Sequence, residues 1–227
     1  FAGGIDFATA IALVETYFGN LPKGNYEKRI LTPQYLGQSL LKTKPIEQMH
    51  FALSYPSIPL EHELNLAHSI MNNILGGSMT SRLFQEVREK MGLAYSVYSY
   101  ASRYAECGSL TVYAGVNPEK ANSAYDAVQA VLKDFKTNGI TDDEFIRGRE
   151  QMKASTIFGL ENTSSQMLIY GKEMLYRNCL YDIDERFEQL QKVTKSDVEK
   201  AIALTFGDVS DKKAVAVVGN TDKPFSV

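Results

Sequence analysis

From Thr80 to Val116 the chain changes its hydrophobic period once, at a glycine, and that change constrains everything packed around it. Residues Thr80 to Met91 (TSRLFQEVREKM) are amphipathic and charge-rich at helical spacing, and Gly92 suits a left-handed C-cap. The next two stretches, Ala94 to about Arg103 and Gly108 to Val116, read as strands. In the second, Leu110, Val112 and Ala114 alternate with Ser109, Thr111 and Tyr113. Only the short connection YAEC joins them, which predicts an antiparallel pair. A helix must therefore feed a hairpin directly, with its last turn beside the start of the first strand.

The flanking segments extend this pattern. QMHFALSYPS reads as a strand with Met49, Phe51 and Leu53 on one face and His50, Ala52 and Ser54 on the other. EHELNLAHSIMNNIL, from Glu61 to Leu75, reads as a helix stopped by Gly76 and Gly77, the pair making a tight break between two helices. Downstream, Asn117 caps a helix that carries Pro118 in its first turn and closes at Gly139; Thr141 and Glu144 stand in capping-box register for the next. Further helices run to about Asn178, from Ile183 to Val193 and over TKSDVEKAIALTF, before the closing strand KAVAVVG. At the other end, Phe1 to Gly4 end a strand, and Asp6 N-caps a helix to about Phe18 with Ile11, Val14 and Phe18 at helical spacing. Between Asn20 and Gln48 the periodicity dissolves among Pro22, Gly24, Pro33, Gly37 and Pro45, and this stretch reads as a linker between two packed units. The order of elements predicts an α+β fold with helices on one side of a sheet.

Composition narrows the function classes. A formal net charge of -3 without a long basic run gives a nucleic-acid backbone no electrostatic purchase. No apolar run reaches the roughly 18 residues of a membrane span. The N-terminal FAGGIDFATA has neither an initiator Met nor a positive n-region and reads as a cut through a longer chain. Cys107 and Cys179 belong to no CxxC pair and read as reduced, mostly buried thiols in a reducing compartment.

Catalytic motifs are scarce. His62 and His68 lie six residues apart, whereas a helical metal site needs its histidines four apart on one face; at six they diverge by roughly 120°. They read as exposed helix histidines, with independent metal binding a remote option, and His50 has no companion. No GxSxG elbow or phosphate loop is present. Arg88 and Tyr95 remain. One reading is a solvated arginine beside Glu89 or Gln85 and a tyrosine packed in the sheet layer. The other is a pair of donors converging outside the element ends: a guanidinium fork for a peptide carbonyl or carboxylate, and a phenol for an oxygen that becomes negative. With no base, nucleophile or metal, such a pair assists catalysis without performing it.

At these residues the chain resembles a known family. GGSMTSRLFQEVREKMGLAYSVYSY is similar to the signature of the second half of pitrilysin/insulinase-type (inverzincin) zinc metallopeptidases, which include the mitochondrial processing peptidases and their bacterial counterparts. FAGGIDFATAIALVETYFGNLPKG resembles the last strand and helix of the first half, and AVAVVGNTD the closing strand of the second. The resemblance implies a two-layer fold with a mostly antiparallel sheet. It assigns residues 1–20 to the end of the first, zinc-bearing half, 21–47 to the linker and 48–227 to a substrate-binding half without metal. It gives Tyr95 the role of catalytic donor to the scissile carbonyl and Arg88, with Tyr95, that of substrate binding. It places Zn2+ on an HxxEH motif outside these residues and makes the partners a peptide or protein substrate, the HxxEH half or a partner subunit, or a second copy of the chain. It implies a bacterial cytoplasmic setting, with the mitochondrial matrix as the alternative. Two functions stay open: the non-zinc half of an active metalloendopeptidase, inactive by itself, or part of a non-catalytic relative that serves as scaffold or partner subunit.

Overall fold

The computed structural model describes residues 1–24, 33–207 and 212–220. Its elements are α1 (Phe7–Phe18), β1 (Ser39–Thr43), β2 (Met49–Ser57), α2 (Asn65–Asn72), β3 (Ala94–Arg103), β4 (Gly108–Val116), α3 (Ala121–Asn138), α4 (Asp142–Glu161), α5 (Thr163–Arg177), α6 (Ile183–Lys192), α7 (Lys195–Phe206) and β5 (Ala214–Gly219). Two π-helical turns, Asn73–Gly77 and Phe84–Lys90, lie between α2 and β3. Among the described residues no helix is long and apolar enough to cross a membrane.

The chain forms two compact units. The larger comprises the described residues of 31–150 and 190–227, and the smaller those of 1–30 and 151–189. In the larger, a five-stranded sheet runs in the order β1-β5-β2-β4-β3. β1 pairs parallel with β5, and every other pairing is antiparallel, so the α+β, mostly antiparallel architecture is as the sequence predicts. The alternation read in β2 is the alternation observed: Met49, Phe51, Leu53 and Tyr55 are buried while His50, Ala52 and Ser54 are only partly covered. Helices cover that inner face. Phe51 meets Tyr125 of α3 edge-on at 5.8 Å, and Tyr55 meets Phe206 of α7 at 5.1 Å. Each such large side chain taken out of water contributes about 2 kcal/mol.

The caps behave as their residue types demand. Asp6 accepts the Thr9 N–H at 2.9 Å, Asn117 accepts the Glu119 N–H at 2.8 Å, and Thr141 and Glu144 bond each other's backbone reciprocally at 2.8 and 3.2 Å. Three expectations are corrected. Phe1 to Gly4 form no strand; Ile5 N–H closes a turn onto the Gly3 carbonyl instead, and among the described residues no neighbouring strand lies there to pair with. The stretch read as linker contains β1, a strand whose partner β5 stands some 175 residues later in sequence and therefore leaves no local signal. The helix read from Glu61 starts only at Asn65, because Leu64 N–H is taken by the His62 ring and the Asn65 side chain by the Leu60 carbonyl, which hold 60–64 as a turn.

The smaller unit is helical, built from α1, the later part of α4, α5 and most of α6. No side chain of α1 is fully buried, and Phe7 is 81% and Phe18 60% exposed. Phe1, Ile5, Ile11 and Val14 line an apolar cleft with Tyr170 of α5. The thiols also differ from expectation: Cys107 is half-buried and Cys179 exposed.

Candidate functional site

The helical segment that carries Arg88 is anchored at its first residue. Arg82 donates through Nε to Glu144 at 2.6 Å, through one terminal nitrogen to Glu144 and the Gly139 carbonyl at 2.7 Å each, and through the other to Asp134 at 2.8 Å. Its guanidinium also lies 5.0 Å from the centre of the buried Phe135 ring. Partial burial would raise the Glu144 carboxyl, but hydrogen bonds and charge from Arg82, together with Thr141, outweigh it and hold the group at about 2. Leu83 and Val87 are completely buried and fix which side of the segment faces the core.

From Phe84 the helix widens. Met91 N–H reaches back five residues to the Glu86 carbonyl at 3.1 Å, the spacing of a π turn. Such turns are rare and concentrate at functional sites. Gly92 then adopts φ +58°, its N–H bonding the Arg88 carbonyl at 3.1 Å, and the chain reverses into β3. There the pairing with β4 runs Ala94 to Val116 and then Ser96 to Gly115, which leaves Tyr95 as the extra residue of a β-bulge. A bulge re-aims the side chain it carries. Tyr95 is 73% exposed, so it is not packed in the sheet layer.

Cap and bulge together bring the two predicted residues into one place. The Arg88 guanidinium carbon lies 5.8 Å from the centre of the Tyr95 ring and 4.8 Å from that of Phe84. Among the described residues its ion-pair partner is Glu89 at 3.8 Å, a loose contact between half-exposed groups. A guanidinium carries five N–H donors in one plane, and the neighbouring phenol adds a sixth. Chemically, the pair can bind carbonyl oxygens and stabilise negative charge developing on one of them. It has no means of activating water.

Behind this surface, Gly76 of the first π turn presses on β3. A Cβ there would stand 2.5 Å from the Ser99 backbone nitrogen, and the Ser99 hydroxyl donates to Asn72 at 2.8 Å. The glycine thus serves close approach as well as the break read from sequence.

The histidines offer no metal site. His68 is completely buried, contrary to the exposed position expected. Arg103 donates to its Nδ1 at 2.7 Å, so the ring proton sits on Nε2 and is shared with the Ser57 hydroxyl at 2.5 Å. Burial foremost, then the charges of Arg103 and His62, hold its pKa down to about 3. His62 Nδ1 accepts Leu64 N–H at 3.1 Å, and His50 Nδ1 meets the Tyr113 hydroxyl at 2.6 Å. Among the described residues no three His, Cys, Asp or Glu side chains gather where an ion could be held. These residues do not fit a zinc ion.

Comparison with known proteins follows the same lines. The family model described as the peptidase M16 inactive domain matches residues 1–152. The uncharacterized zinc protease YmxG of Bacillus subtilis is 38% identical over 180 residues, which is 79% of this chain and 44% of the relative. An uncharacterized zinc protease of Streptomyces coelicolor is 40% identical over 172 residues, 76% of this chain and 37% of the relative. A solved structure of a peptidase M16 inactive domain from Pseudomonas fluorescens shares the fold with a TM-score of 0.80 at 24% identity, over 98% of this chain and 53% of that one. The chain spans about half the length, or less, of the curated relatives it matches.

Proposed function

Since the chain belongs to the peptidase M16 family, carrying its inactive domain, we propose that it is the substrate-gripping half of a zinc-dependent metalloendopeptidase. The observation that carries this reading is the stacking of Arg88 on the exposed ring of Tyr95. Tyr95 donates its hydroxyl to the carbonyl under attack and strengthens that bond as the oxygen becomes negative. Arg88 donates to the neighbouring substrate backbone and keeps the phenol in place. The general base and the metal belong to the companion half of the parent protein, against which this one closes. We assign residues 1–20 to the end of that companion half and 48–227 to the gripping half, with the stretch between carrying β1. The parent protein belongs in a bacterial cell, as its relatives do.

One donor aimed at a developing oxyanion, with a second holding the neighbouring backbone, fits this division of labour, since losing an oxyanion donor typically costs about 10²- to 10³-fold in rate. The test is Tyr95→Phe in the full-length parent. Peptide cleavage slows by at least about tenfold while bound zinc is unchanged. An unaltered rate refutes the role given to Tyr95.

A further inference from the structure

Phe84 is a large apolar side chain that the core leaves at its margin. Leu83 and Val87, before and after it on the same segment, are completely buried, whereas Phe84 is half-buried. It stands four residues before Arg88, and on a helical segment residues four apart are surface neighbours. The Arg88 guanidinium carbon lies over its ring at 4.8 Å, nearer than the 5.8 Å to the Tyr95 ring. Both distances fall within the roughly 6 Å at which a ring face attracts a cation.

The polar side chains nearby on the segment are engaged elsewhere or stand off. Glu86 takes Lys90 at 2.5 Å, the Gln85 amide donates to the Met79 carbonyl at 2.7 Å, and Glu89 is 3.8 Å from Arg88. An arginine fixed only when its ligand arrives loses rotamer freedom at that moment, and binding is weakened accordingly. A carboxylate could fix it in advance, but would take up the N–H donors that a ligand needs. A phenylalanine ring attracts the charge and offers no oxygen or nitrogen to accept those hydrogens. The ring is itself steadied, because the bonds from Arg82 to Glu144 and the burial of Leu83 and Val87 fix the segment that carries it.

We propose that Phe84 is a positioning residue for Arg88: its ring face holds the guanidinium beside Tyr95 before substrate arrives and leaves the N–H donors open. The inference rests on the reading of Arg88 as a substrate-gripping residue and deepens it. Phe84 acts through the arginine and itself makes no contact with the substrate backbone. What the position requires is an aromatic face, so apolar bulk alone does not replace it.

The test uses the full-length parent, a random-sequence pool of quenched fluorescent peptides, and nitrogen NMR of the arginine side chains. Phe84→Leu keeps apolar bulk and removes the ring face; it lowers kcat/KM about threefold, the worth of one half-exposed cation–π contact. Phe84→Tyr keeps the face and keeps the parent's rate. Added to Arg88→Ala, Phe84→Leu lowers the rate no further, because the ring works through the guanidinium. The Arg88 Nε–H resonance, assigned by its loss in Arg88→Ala, is ordered in the parent and in Phe84→Tyr and becomes mobile in Phe84→Leu. Should Phe84→Leu disturb the fold, Phe84→Met takes its place. Suppose Arg88→Ala slows cleavage but Phe84→Leu is silent, costs the same with and without Arg88, or leaves the resonance equally ordered. The proposal is then overturned and the reading of Arg88 stands. A Phe84→Tyr variant as slow as Phe84→Leu overturns it too. If Arg88→Ala is silent, or the parent cleaves none of the peptides, the reading of Arg88 falls and takes the proposal with it.

Discussion

Arg82 grips both carboxylate oxygens of Glu144, at 2.6 and 2.7 Å, and does so six residues before Arg88 in the same helical segment. Glu144 is in turn the acidic member of the capping box that starts α4. One ion pair therefore ties the segment presenting the candidate site to the α3–α4 corner. Both side chains are largely sheltered, 16% and 17% exposed, so the pair is not screened as a surface bridge would be.

Removing Arg82 leaves Glu144 and Asp134 without their cation. Arg82→Ala is expected to lower unfolding free energy by about 3 kcal/mol in urea titration. Glu144→Gln costs less, because Asp134 still holds the guanidinium and the amide oxygen still accepts. If Arg82→Ala cost no more than a typical exposed pair, the anchoring role would be refuted.

Stability falls with acid because of His68. Its pKa drops from an ordinary 6.5 to about 3 in the fold, so the unfolded chain binds the extra proton between those values. The stabilisation is complete above 6.5 and declines as pH falls toward 3, by up to about 1.4 kcal/mol per pH unit. Glu144 adds to the loss below its ordinary 4.5, as pH approaches about 2. His68→Gln, compared with the parent chain by chemical denaturation across this range, flattens the upper part of the slope. A slope unchanged in that variant would show that other groups set the acid sensitivity.

Two glycines near the site answer to different physics. Gly92→Ala meets open space and pays only for φ +58°, about 1 kcal/mol. Gly76→Ala drives a Cβ against the backbone of Ser99, and costs about 2 kcal/mol or more as β3 moves off the turn. Thermal unfolding of both variants checks the order; the reverse order would contradict the close packing described.

Lysine at position 88 keeps the charge and loses the planar guanidinium that lies over the Phe84 and Tyr95 rings. Arg88→Lys in the full-length parent is therefore expected to bind peptide about tenfold more weakly, nearly as poorly as Arg88→Ala. Were Lys to restore affinity fully, charge alone would explain the contact.

Much of this architecture is legible from local chemistry. The caps at Asp6, Asn117 and Thr141 announce their helices, and alternation in β2 and β4 sorts inward from outward side chains, because each of these signals spans only a few neighbouring residues. Arg88 and Tyr95 could be read from sequence either as converging donors or as a solvated arginine and a packed tyrosine, and the resemblance singled them out; how they meet depends on a π turn and a bulge, whose extra residue looks like any other until register with β4 is known. His68 misled for a related reason. Its burial is set by Ser57 and by Arg103, which lies 35 residues downstream on β3. β1 escaped notice because its partner β5 lies near the other end of the chain.

That last pairing carries a practical consequence. A polypeptide trimmed to begin at Met49, where the pattern first looks orderly, would strip β1 away and leave AVAVVG of β5 as a bare outer strand, free of charge and proline. Such a strand is a template for its own kind. Five unassuming residues, SLLKT, thus act as a guard against fibril growth, and any shortened version of the molecule should keep them.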